Sequence, residues 1–592
     1  LILASAEPLT SRQRAIAIAV AVVCAASRFL ALARSLWDWD EALFMMAMRD
    51  YDVTLHHPHP PGFPLFIGLA RLVRHFVDSD FHALQTINLV AAMLVFPALF
   101  FFARELRLRF SVAVMAAALF AFFPNVWFFG GGAFSDVPSI VLVLFAVTFL
   151  LRGAGEGPSG RNAYWLGTLL LAISIGIRPQ NILLGLIPGI YATRRRRPAE
   201  VLVALLIGVL VVGAAFGGAI YATGDPQGYL RVVREHGDYI SRVDSWRSAE
   251  RPPLWRLFDR FFVKQYQSPA LSFVATLFAL VSIVGAVRTR DRALRWNALV
   301  FVPFALFAWL MLDRFSVSRF SIGYQPMFAV FVADGIHRVA GQRRIIAAAL
   351  AAALMAGFIA YTLPALTTVR TELAPSLVAA RAVVDHIDPS REQLFVGHTM
   401  TAFVDLVTPG FPYTRVLDDR AMPLTQNRPA WLLAELTETK AEGFFFTRER
   451  GNLWNIARRH YFEIKLAPIE QQARFLSGWY SPEGMGADEW RWMRRQSVML
   501  LPPARGRTML RMHLGLPGDV MPQNPAITIK LNGRVIDRFH TKLGYLERDY
   551  RVEAAPRNLP NVLELSIDRT ATPDGDGREL GLRLRFLAWG PA

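Results

Sequence analysis

The feature that most constrains this chain is a series of apolar runs, each about as long as a bilayer is thick. A helix needs about 20 residues to cross the hydrocarbon layer. Runs of that order lie at 12–34, 82–103, 110–129, 137–151, 199–222, 268–287, 296–312, 322–340 and 345–363. Two shorter runs, 163–177 and 180–193, flank Arg178 and Pro179. An arginine followed by proline is a poor continuation for a helix at mid-bilayer, so this pair reads as a tight hairpin. The expectation is eleven membrane helices. Composition agrees: 53% of the 592 residues are hydrophobic and 19% charged, too apolar for an ordinary soluble protein. The apolar excess ends near Leu363, after which the sequence is punctuated by charge.

Counting spans alternately from a cytoplasmic N-terminus puts Arg12 and Arg14, Arg104 to Arg109, Arg152 and Arg161, Arg194 to Arg197, Arg288 to Arg295, and Arg343 with Arg344 on one side. The bias of arginine toward cytoplasmic connections makes that side the cytoplasm. Loops 35–80, 130–137, 223–267 and 313–321, together with the tail, fall on the other side. The net charge of +17 is thereby explained by orientation in a membrane, and no nucleic-acid partner is expected. The first run is too long for a signal peptide and lacks a small-residue cleavage site before Trp37. A single cysteine, Cys24, excludes an internal disulfide framework.

The polar residues with chemical potential gather on the outer side. Asp38, Asp40 and Glu41 follow the first span directly, and a carboxylate partly desolvated at the interface gains proton affinity and can act as a general base. The plain alternative is a helix cap, with Asp40 starting a helix over 41–48. The segment HHPHPP at 56–61 cannot be helical, since its prolines fix φ. His56, His57 and His59 beside these acids suggest a divalent cation such as zinc, manganese or magnesium, but the spacing is not that of a helical metal pair. Asp136 opens the fourth span two residues before Pro138. It is a functional candidate if it faces the bundle and a cap if it does not.

An interfacial Asp-Glu after the first span, a His-Pro-Pro segment some twenty residues later, and Asp-x-Pro at the outer start of the fourth span together resemble the polytopic GT-C glycosyltransferases. The similarity is to the branch of protein O-mannosyltransferases and the lipid A aminoarabinose transferase, over about the first 340 residues. The resemblance implies a polyprenyl-phosphate-linked sugar donor and an inverting direct displacement. It makes Asp40 the base with Glu41 beside it, sets His59, in place of the branch's lysine, against the lipid phosphate or sugar, and gives Asp136 the acceptor or a cation. A leaving lipid phosphate gains charge in the transition state and should be met by preorganised cations. Arg178, Arg314 and Arg319 lie at the right depth, Arg319 matching an arginine that precedes a tyrosine in the family, with Phe320 here. His236 and Lys264, in a loop whose 229–240 stretch reads as an amphipathic surface helix, are further candidate substrate contacts.

The tail divides into a small α/β segment, 364–473, and an all-β segment, 474–592. In the first, helices are expected at 381–387, 401–407, 429–441 and 454–460 and strands at 393–398, 413–419 and 443–449. It contains no glycine-rich phosphate loop. The second resembles a jelly-roll β-sandwich that binds carbohydrate, with a hairpin turn at 531–534. Trp479, Trp490 and Trp492 are candidates for stacking on sugar rings or, alternatively, for its core. The reading is a multi-pass glycosyltransferase of a bacterial-type inner membrane, with its tail periplasmic and a lipid, protein or glycan acceptor. A flippase of a lipid-linked sugar would show ionisable residues at mid-membrane in broken helices. A non-catalytic glycan-binding scaffold is the remaining alternative.

Overall fold

The computed structural model describes residues 8–248, 251–312, 317–341, 343–416, 420–424, 428–435, 443–447, 451–457, 463–469, 472–484, 489–504, 506–516, 524–541, 544–556, 559–573 and 576–591. Arg314 lies outside them. The chain forms two compact units, Leu1–Ala374 with Glu449–His460, and Pro375–Arg448 with Tyr461–Ala592.

The first unit is helical. Six described stretches are long and apolar enough to cross a membrane: Ser11–Ala31, Asp80–Glu105, Pro198–Thr223, Pro269–Thr289, Arg292–Met311 and Arg344–His386, of which the helix Arg344–Thr371 lies in this unit. That last helix runs two turns beyond the expected end at 363. The run 110–129 is broken by Pro124 into Phe110–Phe122 and Pro124–Phe129, because proline cannot donate within a helix but is preorganised to start one. The hairpin expected around Arg178 is present, as Gly157–Ile177, a short turn at Pro179–Asn181, and Ile182–Thr193.

The connections sort into two sets. Asp136 and Arg152 are the first and last residues of a single 17-residue helix and so lie about 25 Å apart. Around Arg152 the basic connections meet one another. Its Nη2 is 2.9 Å from Glu105, Arg109 is 3.0 Å from His337, Arg338 is 3.7 Å from Asp291, and Arg196 donates to the Gly155 carbonyl. The candidate acids are at the opposite helix ends.

In the second unit a mixed five-stranded sheet has the order Thr414–Val416, Gln393–Gly397, Ala430–Glu435, Glu463–Pro468, Phe444–Thr447. The expected helix over 429–441 is instead a strand where it is described. AWLLAE occupies the centre of the sheet, parallel to one neighbour and antiparallel to the other. A continuous apolar run suits a strand covered on both faces as well as a buried helix, and periodicity alone does not separate them. The helix expected at 454–460 is described as Gly451–Ala457 and belongs to the first unit, where Asn452 donates to the Tyr361 carbonyl at 2.9 Å.

Among the described residues eight antiparallel strands follow in one sheet, seven along a continuous hydrogen-bonded path and the eighth, Arg474–Glu483, paired beside Trp490–Leu501. Asn532 and Gly533, both at positive φ (52° and 76°), turn the hairpin between Ala526–Leu531 and Arg534–His540, as a two-residue turn of this type requires. This sheet and the smaller one share packing. Met422 and Leu424 sit in the core of the larger sheet, and Phe586 packs on the core of the smaller. The division at 473/474 read from the sequence therefore runs through a single compact unit.

Candidate active site

The site starts from a capped helix. Asp38 ends an extended approach and caps Trp39–Arg49, its Oδ1 accepting the Asp40 N–H at 3.0 Å. The cap is thus two residues earlier than Asp40, which leaves the Asp40 carboxylate for other partners. Glu41 is 1% exposed, and both its oxygens are engaged. Oε2 accepts the Trp37 and Asp38 N–H groups at 2.7 and 3.0 Å, and Oε1 accepts Ala133 N–H of the second outer loop at 2.7 Å. Burial lifts its carboxyl to about 7, against the pull of those N–H groups. Glu41 therefore ties the two outer loops together.

The second loop approaches very closely. A Cβ at Gly131 would stand 1.7 Å from the Ala31 carbonyl oxygen, so only glycine fits. Side-chain amides hold the loop from below: Gln85 donates to the carbonyls of Ala33 and Gly131, and Asn88 to those of Phe129 and Gly132, at 2.6–2.9 Å. Sequence reading missed these residues. Their signal was a pair of amides inside an otherwise apolar span.

Asp40, 7% exposed, forms an ion pair with Arg319, 6% exposed, whose other arm is 3.9 Å from Asp38. The Arg319 guanidinium also lies over the Phe134 ring at 5.2 Å. Asp136 pairs with Arg178 at 2.7 Å, and Arg178 Nε donates to Ser135 Oγ at 3.0 Å. The Arg178 guanidinium packs over Phe63 and Phe320, 5.7 and 5.3 Å from their rings. Asp136 and both guanidiniums, Arg178 and Arg319, line one cavity together with Asn181 and Phe320. A second cavity, lined by Trp37, Asp38, Glu41, Phe128, Phe129 and Phe134, lies beside the capped helix.

His59 completes the cluster. The His-Pro-Pro segment is fastened by Tyr51, whose hydroxyl donates to the Gly62 carbonyl at 2.8 Å, and by Tyr229, which donates to Pro61 at 2.8 Å. A Cβ at Gly62, where φ is 107°, would collide with the Tyr51 hydroxyl. His59 Nδ1 is 4.0 Å from Asp40 Oδ1, too far for a hydrogen bond. Burial pushes the His59 imidazole down to about 4, so it is neutral near pH 7. His236 brings its ring within 6.3 Å of His59.

Lys264 is not drawn in: it pairs with Asp259 and is half-exposed. His57 faces Asp50 at 3.8 Å. Among the described residues, no group of three or more His, Cys, Asp or Glu is disposed to hold a metal ion, so His56, His57 and His59 do not assemble a ligand set. In the second unit Trp492 is 3% exposed under Arg583, which also covers Trp490, while Trp479 packs edge-on against Phe475.

No family profile matches the sequence, and no curated protein matches it. Among solved structures, the fold is similar to ArnT from Cupriavidus metallidurans bound to undecaprenyl phosphate (TM-score 0.49, 11% identity, 78% of this chain and 98% of that one). It is also similar to the Archaeoglobus fulgidus oligosaccharyltransferase (0.41, 13%, 66% and 61%) and to the mycobacterial arabinofuranosyltransferase AftD (0.42, 11%, 99% and 62%).

Proposed function

We propose that this protein is a membrane glycosyltransferase that moves a sugar from a polyprenyl-phosphate carrier to an acceptor hydroxyl or amine. The observation that carries the reading is a cavity lined by Asp136, Arg178 and Arg319, with Asp40 paired to Arg319 behind it. It sets a candidate base within a side chain's reach of two guanidiniums suited to a phosphate.

In this reading Asp40 takes the acceptor proton while the acceptor's oxygen or nitrogen attacks the anomeric carbon. The bond from that carbon to the phosphate oxygen breaks, its electron pair leaves with the polyprenyl phosphate, and the anomeric centre inverts. Arg319 and Arg178 meet the growing phosphate charge. Glu41 positions the two loops, neutral His59 lines the donor side, and Asp136 holds Arg178. The reading keeps eleven crossings, a cytoplasmic N-terminus in a bacterial-type inner membrane, and a periplasmic tail of jelly-roll type whose Trp479 and Trp490 contact glycan. A divalent cation is not required by any step.

The test is mass spectrometry of membrane lipids and surface glycans from cells with and without the gene. Loss of the gene should leave an accumulated polyprenyl-phosphate sugar together with an unmodified acceptor. Unchanged lipids and glycans would refute the proposal.

A further inference from the structure

The described part of the helix that carries Arg319 is Val317–Phe320, followed by a short turn over Ser321–Gly323. Side chains from outside this stretch hold it in place. The anchor is a buried chain of amides and hydroxyls. Ser321 Oγ donates to the Ser318 carbonyl at 3.1 Å, closing the turn around Arg319. Asn125 Nδ2 donates to that same Ser321 oxygen at 2.7 Å and to the backbone carbonyl of Gln265 at 2.9 Å. Gln325 reaches the Gln265 carbonyl as well, at 3.4 Å. Asn125, Gln265, Ser321 and Gln325 are all fully buried.

The direction of the Asn125 amide is fixed by chemistry, since a carbonyl can only accept and the flipped amide would face it with an oxygen. Asn125 also lies in the short helix Pro124–Phe129, which leads through the glycine loop to Phe134, the ring beneath the Arg319 guanidinium. One residue thus fixes the backbone of Arg319 relative to the surface on which its side chain rests.

We propose that Asn125 and Ser321 are positioning residues that hold Arg319 in place for the phosphate of the lipid donor. The inference rests on the functional reading of Arg319 given above. A guanidinium displaced by even an ångström loses its fork geometry on phosphate, so the effect should appear in phosphate binding and should vanish when Arg319 is absent.

The experiment measures binding of a polyprenyl phosphate, the leaving group common to all such donors, to detergent-purified full-length protein. Asn125→Ala and Ser321→Ala are compared in the wild-type and Arg319→Ala backgrounds. Each is expected to weaken binding about tenfold in the wild type and less than about twofold without Arg319. Ser321→Ala removes one oxygen only and carries the test if Asn125→Ala does not fold. Equal losses in both backgrounds, or wild-type binding by Ser321→Ala, would overturn the inference. Undiminished binding by Arg319→Ala alone would instead remove the functional reading of Arg319, and this inference with it.

Discussion

Replacing Asp40 with asparagine preserves shape and removes charge, and the ion pair with Arg319 gives it two consequences of opposite sign. Turnover should fall about 10²- to 10⁴-fold, the usual cost of losing a general base. Binding of a polyprenyl phosphate should tighten, because Arg319 no longer has to leave a carboxylate to reach the phosphate. A hydrogen bond to a charged group is worth about 1.5–3 kcal/mol, and about 1.4 kcal/mol is a factor of ten. Asp38, 3.9 Å from the same guanidinium, retains part of the competition, so the gain should lie near the lower end, about tenfold. Titration of polyprenyl phosphate into wild type and Asp40→Asn in nanodiscs, with single-turnover assays on the same preparations, measures both. Lost turnover with unchanged or weaker binding would refute the exchange of Arg319 between carboxylate and phosphate. Full turnover would remove Asp40 as the base.

Asp136→Ala strands Arg178 in a buried site and should destabilise the protein by about 3–5 kcal/mol, read as a fall in Tm, whereas Asp136→Ala with Arg178→Met should recover part of that loss. Stability should depend on pH through two opposed groups. Glu41, raised from 4.5 to about 7, stays protonated in the fold where the unfolded chain has lost its proton, so it lowers stability as pH rises between those values. His59, lowered from 6.5 to about 4, stays neutral in the fold where the unfolded chain is charged, so it raises stability over nearly the same window. Removing His59 takes away a rising contribution, so the Tm of His59→Gln relative to wild type should fall as pH rises from about 4.5 to 6.5; a constant difference would contradict the assignment. Deleting 474–592 should expose Met422 and Leu424 and produce aggregation on size-exclusion chromatography, while a monodisperse truncated protein would show the tail segments to be separable.

Much of the architecture was legible because it follows from a single solvent constraint. Long apolar runs, arginine-rich connections and the break at Arg178–Pro179 each carry their own physical reason, and the basic connections do meet at one end of the bundle. The candidate residues Asp40, Asp136, Arg178 and Arg319 were visible as charges that hydrocarbon would not tolerate. Their pairing was not visible: nothing in spacing says that Arg319 selects Asp40, 279 residues away, while Arg178 selects Asp136. The roles of Asp38 and Glu41 were equally hidden, since which of three neighbouring acids caps a helix depends on where the chain turns. The strand at Ala430–Glu435 escaped because its run is apolar on both faces, and the pairing of Lys264 with Asp259, five residues away, was not read from the sequence.

The same pairing accounts for how a site with so many carboxylates handles an anionic donor. Arg178 and Arg319 are balanced by Asp136, Asp40 and Asp38, so an incoming diester competes for guanidiniums already in use. In the proposed reaction Asp40 becomes neutral by taking the acceptor proton at the moment when a singly charged phosphodiester becomes a doubly charged monoester. The sum of charge in the site is then unchanged, and one negative charge has passed from one flank of Arg319 to the other. A guanidinium with two arms between base and leaving group can follow that shift by reorienting within its fork, without importing an ion and without a large rearrangement of the loops. This is why the placement of Arg319, and hence the amides that hold its turn, should matter more to the rate than the number of cations nearby.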